Sequence, residues 1–261
     1  NLKNILRENM MSTSKTESVE KQRIRYRKEA SEHYLHNQDF WNQRYRDEFM
    51  RPTSKDIDLN GKTVLEGMCA SGTETAYLLG QGAKVVGLDI SEENASFYRK
   101  KWNADCHVRS IHDTQFQKGS FDAVWIIGGL HHVIPLLPSV IDEMHRILKP
   151  GGHFFFVEPN ADTWLNMVRS LWYALSPRFE KEERALSYQK DLQPLIKGRF
   201  LEREIILSGN IAYLIIAQSL VTRIPKSVRK KISKSMFELE KWLSAKNIAP
   251  KLFFSGLWQK I

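Results

Sequence analysis

Residues 63–72, TVLEGMCASG, and residues 85–90, VVGLDI, decide how this chain folds. In the first, an apolar run enters an acid, Glu66, and then a turn of small residues closed by Gly72. The second is another apolar run ending in Asp89, 17 residues beyond Gly72. Strand, tight turn, helix and a second strand ending in an acid form the opening unit of a doubly wound parallel sheet. There, ligands bind outside the carboxyl ends of the strands, and an acid about 20 residues past the turn takes the hydroxyls of a ribose. The nicotinamide fingerprint is a poor match, because Met68, Ala70 and Thr73 stand where its three glycines belong.

Outward from this unit, strands and helices alternate, as in a parallel sheet with crossovers. Strands are expected at 63–67, 84–89, 106–109, 121–128 and 153–158, with later ones at 200–208 and 252–258. The clearest helix is 138–148: Pro138 opens it, and Val140, Ile141, Met144, Ile147 and Leu148 make one apolar face. Lys149 falls in its last turn and Pro150-Gly151-Gly152 stops it. Phe154 to Val157 form a continuous apolar run, as in a central strand buried on both faces. Before the sheet, residues 19–50 read as one helix with Tyr26, Ala30, Tyr34, Phe40 and Trp41 as anchors, ended by Arg51-Pro52. After it, residues 161–175 carry Trp164, Leu165, Val168 and Trp172 at helical spacing, and Ile211 to Val221 is strongly apolar. The domain reading is therefore a disordered tail over 1–18, with Met11 as a candidate start, a helical cap over 19–55, a core over 56–160, and substrate-side helices with the final strands over 161–261.

The 261 residues are 42% hydrophobic, enough for a sizeable core, and carry a formal charge of +9. Cys69 and Cys106 are the only cysteines, which excludes a disulfide framework and a cysteine metal site and suits a reducing, cytoplasmic setting. No signal peptide and no membrane span are expected, and no histidine pair has metal-ligand spacing. Basic residues cluster at Lys21 to Lys28 and again at Arg223, Lys226, Arg229, Lys230, Lys231 and Lys234. They read either as solvated helix faces or as a surface for an anionic partner. Without zinc-finger spacing or an RNA-binding aromatic signature, nucleic acid ranks last among such partners.

Four segments in order, VLEGMCASG, VVGLDIS, KGSFDAVWIIGGLHHV and ILKPGGHFFFVEPN, resemble the class I S-adenosylmethionine-dependent methyltransferases of the small-molecule type. The resemblance covers roughly residues 60–158, and perhaps 200–261. It implies an α/β, Rossmann-like, doubly wound seven-stranded sheet whose last strand runs antiparallel, with an N-terminal helical segment and a C-terminal helical insertion. It also implies S-adenosylmethionine as cofactor. Carried over by position, Glu66 organises the first turn, with Gly67, Met68, Ala70 and Gly72 forming it. Asp89 takes both ribose hydroxyls, Ile90 lies against adenine, Ser110 and Ile111 flank it, and Gly128 lines the cleft. Met68 and Ala70 replace the family's first two glycines, and Ser110 replaces its common acid.

His131 and His132 follow the fourth strand directly. An imidazole there, with an unperturbed pKa of about 6.5, can take a proton from an acceptor hydroxyl near neutral pH. Alternatively the pair caps the next helix. Glu158 either orients a substrate hydroxyl or terminates its strand. The leading expectation is methylation of a small-molecule acceptor, at oxygen. Residues 211–224 read first as an apolar face that packs on the sheet or closes the pocket; one alternative is a lipid, lipid-linked or glycan precursor methylated at an anionic membrane surface, reached through residues 211–234 as an amphipathic helix with a basic extension. Under that alternative the protein is a peripheral membrane enzyme, with Trp164, Trp172, Tyr173 and Phe179 lining the pocket or forming core. The other is a methyltransferase-like binding module without catalysis.

Overall fold

The computed structural model describes residues 34–167, 169–170, 184–218, 222, 224–246 and 248–261. The tail over 1–18, the first part (19–33) of the 19–50 helix, and Val168, Trp172, Tyr173 and Phe179 lie outside the described residues. Seven strands form one sheet in the order β3-β2-β1-β4-β5-β7-β6. They are β1 (Thr63–Gly67), β2 (Lys84–Asp89), β3 (Cys106–Val108), β4 (Phe121–Ile127), β5 (Leu148–Pro159), β6 (Phe200–Ser208) and β7 (Phe253–Lys260). The first five are mutually parallel, and β7 runs antiparallel between β5 and β6. This is the Rossmann-like seven-stranded sheet expected. The helices are α1 (Phe40–Tyr45), α2 (Thr75–Gly80), α3 (Glu92–Trp102), α4 (Leu137–Ile147) and α5 (Lys226–Lys246).

Alternation along the central strands builds two cores, because successive side chains leave opposite faces of a strand. On one face Leu65, Val124, Ile126, Phe154 and Phe156 meet Val140, Ile141, Met144 and Ile147 of α4, and Trp258 of β7. On the other, Val64, Trp125, Phe155 and Val157 meet Tyr45, Leu78, Tyr213 and Phe237. Trp125 and Phe155 stack across β4 and β5 with ring centroids 4.3 Å apart.

Four expectations need correction. Residues 34–50 are not one continuous helix: a turn of helix at 34–37 breaks at Gln38-Asp39, and the Asp39 carboxylate accepts the Trp41 N–H to start α1 afresh. That bond offers the backbone an alternative to helix, the usual action of Asp at a cap. Lys149 does not belong to a helical turn. β5 begins at Leu148, ahead of the expected 153, and Lys149 Nζ donates to Asp122 of β4 at 2.8 Å. Trp164 and Leu165 lie in turns ahead of the short helical stretch, and Trp164 is 72% exposed, so it is not core. Finally, residues 211–217 do not lie on the surface as an amphipathic helix. Ala212, Tyr213 and Ile216 are buried against the sheet, and the basic cluster begins a separate helix, α5. Arg229 of that cluster is turned inward, bridging Asp39 at 3.2 Å.

Candidate active site

The strand order reverses between β1 and β4, which opens a crevice at the carboxyl ends of the parallel strands. The turn after β1 occupies one side. Met68 and Ala70 both hold left-handed backbone, at φ 53° and 49°, a conformation that disfavours any side chain by roughly 1–2 kcal/mol per residue. Hydrogen bonds from both neighbouring acids over-determine it. Asp89 Oδ2 accepts the Ala70 N–H at 2.8 Å, and Glu66 Oε1 accepts the Glu74 N–H at 2.7 Å. The Cys69 N–H donates to Leu88 O at 3.0 Å, and the Gly72 N–H to Cys69 O at 2.8 Å. A Cβ on Gly72 would collide with the Trp102 indole, whose Nε1 donates to Ser71 O.

Glu66 is buried and also accepts the hydroxyls of Thr75 at 2.5 Å and Tyr98 at 3.3 Å. Burial pushes its carboxyl up to about 7 even though these bonds oppose the shift. Asp89 is 7% exposed, and Oδ1 accepts the Ser91 N–H at 2.9 Å and Asn94 Nδ2 at 3.1 Å. Burial raises it too, against those same bonds. Most of its acceptor capacity is thus engaged by the chain itself. Ser71 Oγ, in the same turn, is buried and without a hydrogen-bond partner among the described residues.

The Met68 side chain crosses the crevice: a Cβ on Gly129 would come within 2.7 Å of its sulfur and 3.3 Å of its Cβ. A side chain at Gly129 would also meet Ile126 Cγ2 at 2.9 Å, so Met68 and Ile126 would both have to shift to admit one. Gly67 ends β1 beside Ile111, which is buried, while Ile90 is half-buried after β2. Ser110 Oγ lies 2.6 Å from His112 Nδ1, so the position with the missing acid is paired within its own loop.

Past Gly128, at the end of β4, Leu130–His132 form a 3-10 turn gripped by Glu158. One Glu158 oxygen accepts the N–H groups of Gly129 at 2.9 Å and Leu130 at 2.7 Å. The other meets the His131 N–H at 3.3 Å and His131 Nδ1 at 2.8 Å. Glu158 is 1% exposed, and the His131 and His132 rings stack with centroids 3.9 Å apart. Glu158 therefore neither merely terminates β5 nor stands open to a substrate hydroxyl; it holds His131. The structure thus brings Glu66, Gly67, Met68, Ala70, Gly72, Asp89, Gly128 and His131 to one edge of the sheet.

A clamp that the sequence did not reveal closes over the turn. Glu74 accepts Arg46 at 2.7 Å and Arg51 at 2.8 and 2.9 Å, all three buried. Burial pushes Glu74 up, but the two guanidiniums hold it below the usual carboxylate range. Asn37 Nδ2 donates to Thr73 Oγ1 at 3.1 Å and Gln38 Nε2 to Gly72 O at 3.3 Å. These contacts span 23 to 36 residues and follow no local spacing. Likewise Cys69 and Cys106, far apart in sequence, are free thiols joined by an S–H···S hydrogen bond of 3.6 Å.

Residues 65–156 match the family described as "Methyltransferase domain". An uncharacterized methyltransferase of Synechocystis is 40% identical over 110 residues, 40% of this chain and 51% of that protein. Demethylmenaquinone methyltransferase of Clavibacter sepedonicus is 36% identical over 38% of this chain and 41% of its own. The chain thus spans about half the length of the curated relatives it matches. Among solved structures, a protein of Pyrococcus horikoshii OT3 superposes with a TM-score of 0.58 at 20% identity, covering 86% of this chain and 93% of its own. Geranyl diphosphate C-methyltransferase of Streptomyces coelicolor, solved with S-adenosyl-L-homocysteine, gives 0.56 at 16% identity, covering 84% and 79%. Residues 65–156 thus match a methyltransferase domain, and the sheet that contains them has the fold of these solved structures.

Proposed function

We propose that this protein is an S-adenosylmethionine-dependent methyltransferase that methylates a hydroxyl of an apolar small molecule, with His131 as general base. The observation that carries the reading is the Glu158–His131 pair, at the same sheet edge as the Asp89-gripped turn. Strands β2, β1 and β4 are consecutive in the sheet. At ~4.8 Å per strand, Asp89 and the β4 end are about 10 Å apart, a span that suits a nucleoside at one end and its reactive carbon at the other.

The residues fit this cofactor. Asp89 supplies a carboxylate at the ribose position, Ser71 Oγ an unpartnered buried hydroxyl in the turn, and Ile90 and Ile111 an apolar slot beside it. When bound, the cofactor supplies an electrophilic methyl group on a sulfonium. The chain's task is then to align the acceptor, exclude water and remove a proton. With Glu158 accepting from Nδ1–H, His131 presents Nε2 as an acceptor, the state required of a base. The Asn37, Gln38 and Arg46 contacts seat the N-terminal cap over the turn, where it shields the site from solvent.

Relatives named demethylmenaquinone, ubiquinone and fatty-acid O-methyltransferase support an apolar acceptor, and two of these three names specify or include oxygen methylation. The test is transfer of radiolabelled methyl from S-adenosylmethionine to a panel of phenols, quinols and fatty acids. Labelling of phenols or quinols that His131→Ala abolishes supports the reading; labelling at carbon or nitrogen, or equal labelling by His131→Ala, overturns it.

A further inference from the structure

Helix α5 carries an apolar flank that the described residues leave open. Its inward face, Arg229, Ser233, Phe237 and Glu240, is buried. Glu240 accepts the N–H groups of Ala212 at 2.6 Å and Tyr213 at 3.0 Å, as well as the Tyr45 hydroxyl. The next flank round, at alternating spacings of four and three, reads Val228, Ile232, Ser235, Leu239 and Trp242. Val228 and Trp242 are 45% and 55% exposed, and Ile232 and Leu239 are half-buried. At 3.6 residues per turn Lys231 borders this flank, and Lys226, Lys230 and Lys234 are exposed further round the same helix. No acid occurs between Lys226 and Phe237. On the cap, Leu35 and Phe40 are also 69% and 66% exposed, and Asp39 between them ties the cap to Arg229 of α5.

An apolar stripe with an interfacial tryptophan, bordered by Lys231, with further exposed lysines round the helix and a buried face behind, has the composition of a helix that lies in a lipid headgroup layer. A second copy of the chain would set the lysine rows against each other, whereas anionic lipid neutralises them. We propose that α5 docks the protein on an anionic membrane surface, with Val228 and Trp242 entering the headgroup layer and Lys230, Lys231 and Lys234 pairing with lipid phosphates. This goes beyond the methyl-transfer reading and does not rest on it.

The test is sedimentation of the full chain with phosphatidylglycerol–phosphatidylcholine vesicles and with pure phosphatidylcholine vesicles, alongside analytical ultracentrifugation without lipid. The chain should pellet with the anionic vesicles and stay in solution with the neutral ones. At about five-fold per lysine lost, the triple change Lys230→Glu, Lys231→Glu and Lys234→Glu, which also adds three negative charges, should weaken partitioning by at least roughly hundred-fold. Trp242→Ser should weaken it without altering the circular dichroism. Failure of the unaltered chain to bind anionic vesicles overturns the proposal. So does undiminished binding by the triple variant, or a self-association that Trp242→Ser abolishes in a chain that ignores lipid.

Discussion

Glu158, at the end of β5, holds His131 Nδ1 at 2.8 Å from across the neighbouring strand β4, and with the same carboxylate gathers the three backbone N–H groups of residues 129–131. One buried side chain therefore sets both the turn and the imidazole's tautomer. Glu158→Gln keeps the size but puts an amide N–H₂ opposite Nδ1, which moves the ring proton to Nε2. Under the proposed chemistry, kcat should fall on the order of 10²–10⁴-fold, with cofactor affinity changed less than about three-fold. Equal loss of cofactor affinity by calorimetry would mean that Glu158 serves the turn alone.

Asp89 grips the Ala70 N–H, so its replacement acts on ligand and turn together. Hydrogen bonds to a charged group contribute roughly 1.5–3 kcal/mol. Asp89→Ala should therefore weaken S-adenosylhomocysteine binding by at least ~10-fold in isothermal calorimetry. Affinity within two-fold of the unaltered protein would remove Asp89 from the site.

Ala70 is held at φ 49°, where glycine is unstrained. Replacing it by glycine relieves roughly 1–2 kcal/mol, offset by about 0.5–1 kcal/mol of added freedom in the unfolded chain. Ala70→Gly should thus raise stability by up to ~1 kcal/mol in urea unfolding. Ala95→Gly, inside α3, should lower it by about 1 kcal/mol or more. Loss of stability in both would show that the turn is relaxed around Ala70.

Glu66, raised to about 7 by burial, binds a proton in the folded state that the unfolded chain releases near pH 4.5. Its contribution is fully present below about 4.5 and is lost as pH rises through about 7. At 1.36 kcal/mol per pKa unit this is on the order of 3 kcal/mol. Glu66→Gln can keep its bonds to the Glu74 N–H and the two hydroxyls, and should be less pH-sensitive between pH 4.5 and 7 by that amount. Identical pH profiles of stability for the two proteins would remove Glu66 as the source.

Glu74 neutralises two buried guanidiniums, Arg46 and Arg51. Glu74→Ala leaves Arg46 without a carboxylate and Arg51 with Asp47 alone, and should destabilise by about 3–5 kcal/mol. In hydrogen exchange the cap over residues 34–54 should then lose protection before the sheet does. Uniform loss of protection would show that cap and sheet unfold as one unit.

The inner strands were legible because burial writes apolar runs: 63–67 and 84–89 agree with β1 and β2 residue for residue, while β6, an exposed edge strand, also spans 200–208 as expected. Helix α4 shows the limit. Its apolar spacing marked it, but Lys149 was assigned to it, although the Asp122 partner that draws Lys149 into β5 lies 27 residues upstream. The 34–50 break was hidden for a different reason: Asp39 is as acceptable inside a polar helix face as at a cap, and only the docking of its two flanks decides between them.

For the site, the sequence by itself determined which strand ends carry chemistry. Glu66, Asp89 and His131 sit where a strand's apolar run stops, and one-dimensional patterning records that boundary. Only the tertiary structure decided what each does. It turned Glu158 toward His131, engaged Asp89 with Ala70, Ser91 and Asn94, set Met68 against Gly129, and buried Ala212, Tyr213 and Ile216 while leaving Val228 and Trp242 of α5 exposed. The physical reason is range. Hydrophobic periodicity is a local property, whereas hydrogen-bond and ion-pair partners are chosen by proximity between segments that the sheet brings together.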